Sequence, residues 1–272
     1  MMRALYTAAT GMIAEQTNVD TIANNLSNVN TYGYKKERTE FKSLLYQTIQ
    51  TRTTSANGDQ KPVGAQVGLG TRVAATTSMY TQGNLTETDN KTDFALDGDG
   101  FFAVRALDGQ TYYTRNGAFT WSQAADGRTI LADASGNAVL DTAGNVIAVP
   151  NGVSSEKMDF QEDGSVGYYQ PDGTYVSLNQ KMAVYQFNNP AGLDKMAGSL
   201  LAQTGASGNA MLEGTTAGLK ASKVLAQHLE GSNVNVADEM VNMIVAQRAY
   251  ELNSKAITTA DSMLDTANNL KR

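Results

Sequence analysis

Residues 232–272 read SNVNVADEMVNMIVAQRAYELNSKAITTADSMLDTANNLKR, and this stretch decides the fold. Asn235 stands where a helix N-cap is expected, with Asp238 and Glu239 in the first turn, where carboxylates favour a helix start. Val236, Met243, Tyr250, Ile257 and Leu264 recur at sevens, Met240, Ala246, Ala260 and Ala267 fill the intermediate turns, and neither Pro nor Gly interrupts. The spacing predicts one helix of about 35 residues, roughly 50 Å long. Five large side chains on one seam, at about 1.5–3 kcal/mol each on full burial, make a bare stripe unfavourable in water. A partner helix is required.

Working outward, the partner lies at the other end of the chain. Leu5, Met12, Val19 and Leu26 also recur at sevens, with Ala9 and Ala23 between them, predicting a helix over 3–27. Small residues along both seams (Ala8, Ala23, Ala246, Ala249, Ala260) permit close approach of the helices. The ends also share words: Ser27-Asn28-Val29-Asn30 closes the first helix, and Ser232-Asn233-Val234-Asn235 opens the last. Gly33, after the capping residue Asn30, is the turn residue through which the chain leaves the first helix.

Lys35, Lys36 and Arg38 form a basic patch, read as the solvated start of a short helical piece over 38–49. Residues 51–70 are rich in Thr, Ser, Gly and Gln and carry almost no large apolar side chain, so their order must come from neighbours. The middle, about 71–229, reads as β. Asp97-Gly98-Asp99-Gly100, Asp108-Gly109, Asn116-Gly117, Asp126-Gly127, Gly136-Asn137, Gly144-Asn145, Asn151-Gly152, Asp163-Gly164 and Asp172-Gly173 punctuate runs of β-branched and aromatic residues. Turns at such spacing indicate short antiparallel strands. Met182–Phe187 is expected as a buried strand, 188–218 as surface loops, and 220–230 suits either a strand or a helical turn. Trp121, beside Phe119, is expected in the β core.

The fold class is therefore α+β: long N- and C-terminal helices paired like a coiled coil, with a mostly antiparallel β domain inserted between them. The expected divisions are 1–30 with 231–272, then 31–70, then 71–230.

Composition excludes several functions. The 272 residues contain no Cys and a single His, His228, which removes disulfides, thiolate zinc sites and a histidine-rich metal centre. A net charge of −6 argues against nucleic acid as a main partner. No apolar run is long enough to span a membrane as a helix, and Met1–Gln16 lacks the apolar h-region of a cleaved secretory signal. Asp97-Gly98-Asp99-Gly100 starts like a calcium loop, but Phe101 and Phe102 occupy the positions that need a ligand and a glycine. Gly68-Leu69-Gly70 and Gly218-Leu219-Lys220 lack nucleotide-loop spacing. The β-region carboxylates sit beside Gly in turns, so turn chemistry explains them better than an acid pair. No catalytic residue, metal or cofactor is expected.

Three sets of motifs carry a resemblance. Residues 23–35 (ANNLSNVNTYGYK) are similar to the N-terminal signature of bacterial flagellar rod and hook proteins. Residues 229–235 (LEGSNVN), with Met240-Val241-Asn242-Met243-Ile244, Gln247-Arg248-Ala249-Tyr250-Glu251 and Asn253-Ser254-Lys255, resemble their C-terminal one. Gln82-Gly83-Asn84-Leu85 and 96–102 (LDGDGFF) resemble motifs from the middle of the family. Within that family, length, the Val236–Met240 helix opening and the segment 44–49 resemble a distal rod subunit, with a proximal rod or hook subunit as the alternative.

The resemblance implies a helical homopolymer in which both terminal helices pair around a central channel and the β domain lies outside. It further implies proximal rod and hook proteins as axial partners, peptidoglycan and outer-membrane rings around the shaft, and type III export without a cleaved signal. A soluble β-rich binding module, or an adhesin with a helical oligomerisation stalk, is the alternative of a different class. It predicts a monomer or a small closed oligomer.

Overall fold

The computed structural model describes residues 2–50, 64–124, 127–150, 153–161, 163–170, 172–215 and 218–270. The chain divides into two compact units, 1–27 with 37–78 and 235–272, and 28–36 with 79–234.

The first unit holds both long helices. Helix α1 spans Met2–Ser27 and helix α2 spans Val236–Asn269, and they pack against each other. Asn235 caps α2 as expected, its side chain accepting the Ala237 N–H at 3.0 Å. Against α1 lies an antiparallel pair, Glu37–Ser43 with Thr71–Ser78, bulged between Glu40 and Phe41. A second pair, Tyr46–Gln50 with Ala65–Gly68, follows.

The helix expected over 38–49 is therefore a correction. Lys, Arg and Glu suit a helix locally, but Glu37-Arg38-Thr39-Glu40 alternates, and its inward Thr39 is buried, with its hydroxyl bonding Thr21 Oγ1 of α1 at 2.9 Å. The partner strand that satisfies its backbone lies some thirty residues downstream, beyond local propensity. Of the segment 51–70, expected as a linker or extended arm ordered by its neighbours, residues 51–63 lie outside the described residues.

The second unit is antiparallel β. One sheet runs in the order Asp194–Lys195, Leu200–Ala202, Thr111–Thr114, Phe101–Arg105, Ala138–Val139, Thr129–Ala132, Thr120–Gln123, with Val184–Gln186 and Met211–Leu212 branching from Phe101–Arg105. A three-stranded sheet comprises Met158–Phe160, Ser165–Tyr169 and Tyr175–Lys181. Two pairs, Phe94–Asp97 with Lys223–Ala226 and Leu85–Glu87 with His228–Glu230, complete it and resolve 223–226 and 228–230 as strand. Phe94, Phe102, Phe119, Leu131, Ile147 and Met158 form the main core, and Trp121 stacks on Phe160 at its edge.

The turns at Asp108-Gly109, Gly136-Asn137, Asp163-Gly164 and Asp172-Gly173 close hairpins as expected. Asp126, Asn151 and Gly152 lie outside the described residues. Asp97–Gly100 bends the chain but joins no hairpin, because Phe94–Asp97 pairs with Lys223–Ala226 while Phe101–Arg105 enters the large sheet. The loops expected over 188–218 also hold three short strands, since Leu193, Leu200 and Leu201 are buried and draw the segment onto the sheet.

Candidate subunit interface

Among the expected seam residues, Leu5, Met12, Val19, Leu26, Met243, Ile257 and Leu264 are half-buried, while Val236, Met240 and Tyr250 are exposed. The innermost line of α2 is instead Glu239, Ala246 and Ala260, all buried, with Asn253 between them lying against Gly11 of α1. Ala246 and Ala260 alternate on this line with the polar Glu239 and Asn253, so the large apolar side chains flank it and keep much of their surface.

Met240, Val241, Ile244, Val245 and Leu252 retain 53–66% of their surface. At 3.6 residues per turn Val241 and Ile244 lie on the side of α2 away from the Glu239, Ala246, Ala260 line, and Met240, Val245 and Leu252 flank that line at about 100° round the helix. Tyr6 and Ile13 of α1, Leu45, and Tyr46 and Ile49 of the second strand pair are also exposed. Covering the five α2 side chains would contribute on the order of 5 kcal/mol per subunit.

The buried polar residues of the first unit sit at the helix ends. Asn25 donates from Nδ2 to Glu239 Oε2 at 3.0 Å and to the Glu37 carbonyl at 2.8 Å, while its Oδ1 accepts the Glu37 N–H at 2.9 Å. One carboxamide thus ties α1 to α2 and to the first strand. Glu239, in the first turn of α2, also gains from the helix dipole.

In the second unit the two signature words meet. Glu230 is buried, and its Oε1 receives Lys35 Nζ at 2.6 Å and the Gly83 N–H at 2.8 Å, while Arg115 Nη1 approaches Oε2 at 3.3 Å. Lys35 also donates to the Thr81 carbonyl at 2.8 Å, and Arg115 to the Gly98 carbonyl at 2.6 Å, with its guanidinium 5.3 Å above the Phe101 ring. Burial pushes the Lys35 ammonium below the usual lysine range, Glu230 opposing and Arg115 adding to the shift. Arg115 is pushed down by the same cause.

Asn233 accepts the Lys36 N–H at 2.7 Å and donates to the Met79 and Thr81 carbonyls at 2.8 and 3.1 Å. Gly33 adopts φ +69°, its N–H donating to the Glu230 carbonyl at 2.8 Å, and a Cβ there would lie 2.5 Å from the Asn116 nitrogen. Asn30 and Asp238 are exposed.

The basic patch is thus a second correction: Lys35 is a buried ion-pair partner. Composition favours the solvated reading because a lysine is buried only when paired, and its acid lies 195 residues away. Asn25, Arg115, Glu230 and Asn233 carry the polar architecture without having been singled out, and Glu239, expected only as a first-turn carboxylate, joins them as a buried partner. The doubled Ser-Asn-Val-Asn word and the single acid before it were the available signal.

Three family models match the chain, two of them at its ends. Residues 5–35 match the family described as flagella basal body rod protein, 95–168 the flagellar hook protein FlgE/F/G D1 domain, and 225–270 the flagellar basal body rod FlgEFG protein C-terminal family. The chain is 44% identical to the flagellar basal-body rod protein FlgG of Borreliella burgdorferi, over 100% of both chains. It is 42% identical to FlgG of Agrobacterium fabrum over 99% of this chain and 100% of that one. It is 30% identical to the flagellar hook-basal body complex protein FlhP of Bacillus subtilis, over 100% of both.

Proposed function

The chain belongs to the flagellar basal-body rod protein family, and from that premise we propose that it is the self-assembling structural subunit of the distal rod, the shaft that carries torque from motor to hook. The single observation that carries the assembly reading is the outward face of α2, where Met240, Val241, Ile244, Val245 and Leu252 stay exposed on a helix already packed on its other side. A monomer keeps that much apolar surface in water at a cost that a second copy removes.

In this reading the terminal helices pair as a coiled coil and form the inner layer around an export channel. Leu5, Met12, Val19, Leu26, Val236, Met240, Met243, Tyr250, Ile257 and Leu264 supply packing within and between subunits. Neighbouring copies repeat the contact head to tail without closing, which gives a helical polymer. Asn30, Gly33, Asn235 and Asp238 fix the helix ends. The β unit lies outside, facing the peptidoglycan and outer-membrane rings, and proximal rod and hook proteins abut the two ends of the polymer. The subunit reaches the periplasm through the type III apparatus without a cleaved signal, and its role is mechanical rather than enzymatic.

Sedimentation across a concentration range with electron microscopy of the product tests this. The expected result is an open, straight helical tube above a critical concentration. A persistent monomer or a small closed oligomer would overturn it.

A further inference from the structure

Two contacts between α1 and α2 stand at matching distances along both helices. Asn25 reaches Glu239, and Gly11 lies against Asn253, whose Nδ2 would be 2.8 Å from a Cβ at position 11. Fourteen residues separate Asn25 from Gly11, and fourteen separate Glu239 from Asn253, in opposite directions, so the helices run antiparallel with these contacts two heptads apart.

Between them the line of closest approach is made of small side chains such as Ala246, and the flanking large residues repeat at sevens on both helices. Such a seam tolerates a slip of one heptad, because apolar residues still meet apolar residues. A slip of about 10 Å would face Asn25 with Ala246, take Glu239 away from its carboxamide donor, and bring Asn253 to Asn18 instead of Gly11. The carboxamide of Asn25 is held at the same time by both backbone groups of Glu37, so it cannot follow Glu239 without abandoning the strand.

We infer that Asn25 with Glu239, backed by Gly11 with Asn253, is a register key: these residues select one antiparallel alignment of α1 on α2 and couple it to the strand Glu37–Ser43. Apolar packing alone supplies attraction without a unique alignment, and the buried polar pair supplies the alignment. In a polymer of identical copies, every seam of this kind offers misaligned competitors, and the key acts against them. The inference rests on the reading that these helices pair in the assembling subunit, but its test reads alignment within one chain and is independent of whether a polymer grows.

The chain has no cysteine, which allows placed cysteines to report alignment. Gln16 and Gln247 line one groove between the helices, and Ser254 lies one heptad beyond Gln247. In dilute full-length protein, Gln16→Cys with Gln247→Cys is expected to form an intrachain link with a short bis-maleimide, and Gln16→Cys with Ser254→Cys is not. Adding Asn25→Leu and Glu239→Leu is expected to make both links form in comparable yield, whereas Glu239→Gln, which keeps an acceptor for Asn25, is expected to preserve the native link alone. Retention of only the native link in the double-leucine background would overturn the inference. Loss of both links there would also overturn it, because the pair would then supply attraction rather than alignment.

Discussion

Lys35 Nζ lies 2.6 Å from Glu230 Oε1 with both side chains buried, joining a residue just after the first helix to one just before the last. Gly33 donates to the Glu230 carbonyl and the Lys36 N–H to Asn233, so the segment that follows α1 and the one that precedes α2 are bonded to each other.

Removing the acid strands two buried cations. Glu230→Ala is expected to destabilise the β unit by about 3–5 kcal/mol, since an uncompensated buried charge costs far more than a solvated one. Lys181→Gln, at an exposed pair with Asp163 separated by 3.9 Å, should change it by less than about 1 kcal/mol. Urea unfolding followed by the single Trp121 reads both, because its ring stacks on Phe160. A Glu230→Ala effect no larger than that of Lys181→Gln would contradict the arrangement.

Tyr113 should contribute to the loss of stability at alkaline pH. Burial raises its phenol from 10.0 to about 12. The folded state holds this proton more tightly than the unfolded one, so the stabilisation is fully present below pH 10 and is lost as pH rises toward 12. Tyr113→Phe should flatten the fall over that window by about 2–3 kcal/mol. Lys35 works in the opposite sense: its lowered value means the unfolded state binds more protons below 10.5, so its contribution improves as pH approaches 10.5. Unfolding free energy measured from pH 9 to 12 for the parent, Tyr113→Phe and Lys35→Met separates the two slopes.

Two glycines of similar backbone should differ sharply. Gly33 and Gly109 have φ of +69° and +78°, but a Cβ at Gly33 meets the Asn116 nitrogen at 2.5 Å while none meets anything within 4 Å at Gly109. Gly109→Ala should cost about 1 kcal/mol, the backbone preference alone. Gly33→Ala should cost at least twice that, with loss of its bond to the Glu230 carbonyl. Equal costs in thermal unfolding would show that the close approach is absent.

Assembly should depend on the outer face of α2 and folding should not. Ile244→Asp with Leu252→Asp places charges where both side chains are more than half exposed, so the monomer's unfolding midpoint is expected to stay within a degree or two while the critical concentration rises at least tenfold. Light scattering against concentration checks this. Polymerisation at the parental concentration would remove the outer face from the interface.

Both helices, the Asn235 cap, most hairpin turns and the family resemblance were legible because each is encoded within a few neighbouring residues: sevenfold spacing, a capping side chain, Asp-Gly. What was not legible depends on partners distant in sequence. Residues 38–49 are strand because Thr71–Ser78 and α1 flank them, and Lys35 is buried because Glu230 is there to receive it. The seam itself was half legible: the period was visible, but which side of it the small residues would bring closest depends on how two helices approach. Glu239 and Asn253, polar residues on the inner line, give no sign of their position from composition.

Hydrogen exchange across residues 236–264, compared between dilute monomer and assembled polymer, tests the subunit-contact reading most directly. Partial protection is expected along α2 in the monomer, where α1 covers only its inner side, and stronger protection after assembly, with the Phe94–Val104 core protected in both. Full protection of 236–264 in a demonstrated monomer, unchanged by concentration, would contradict it.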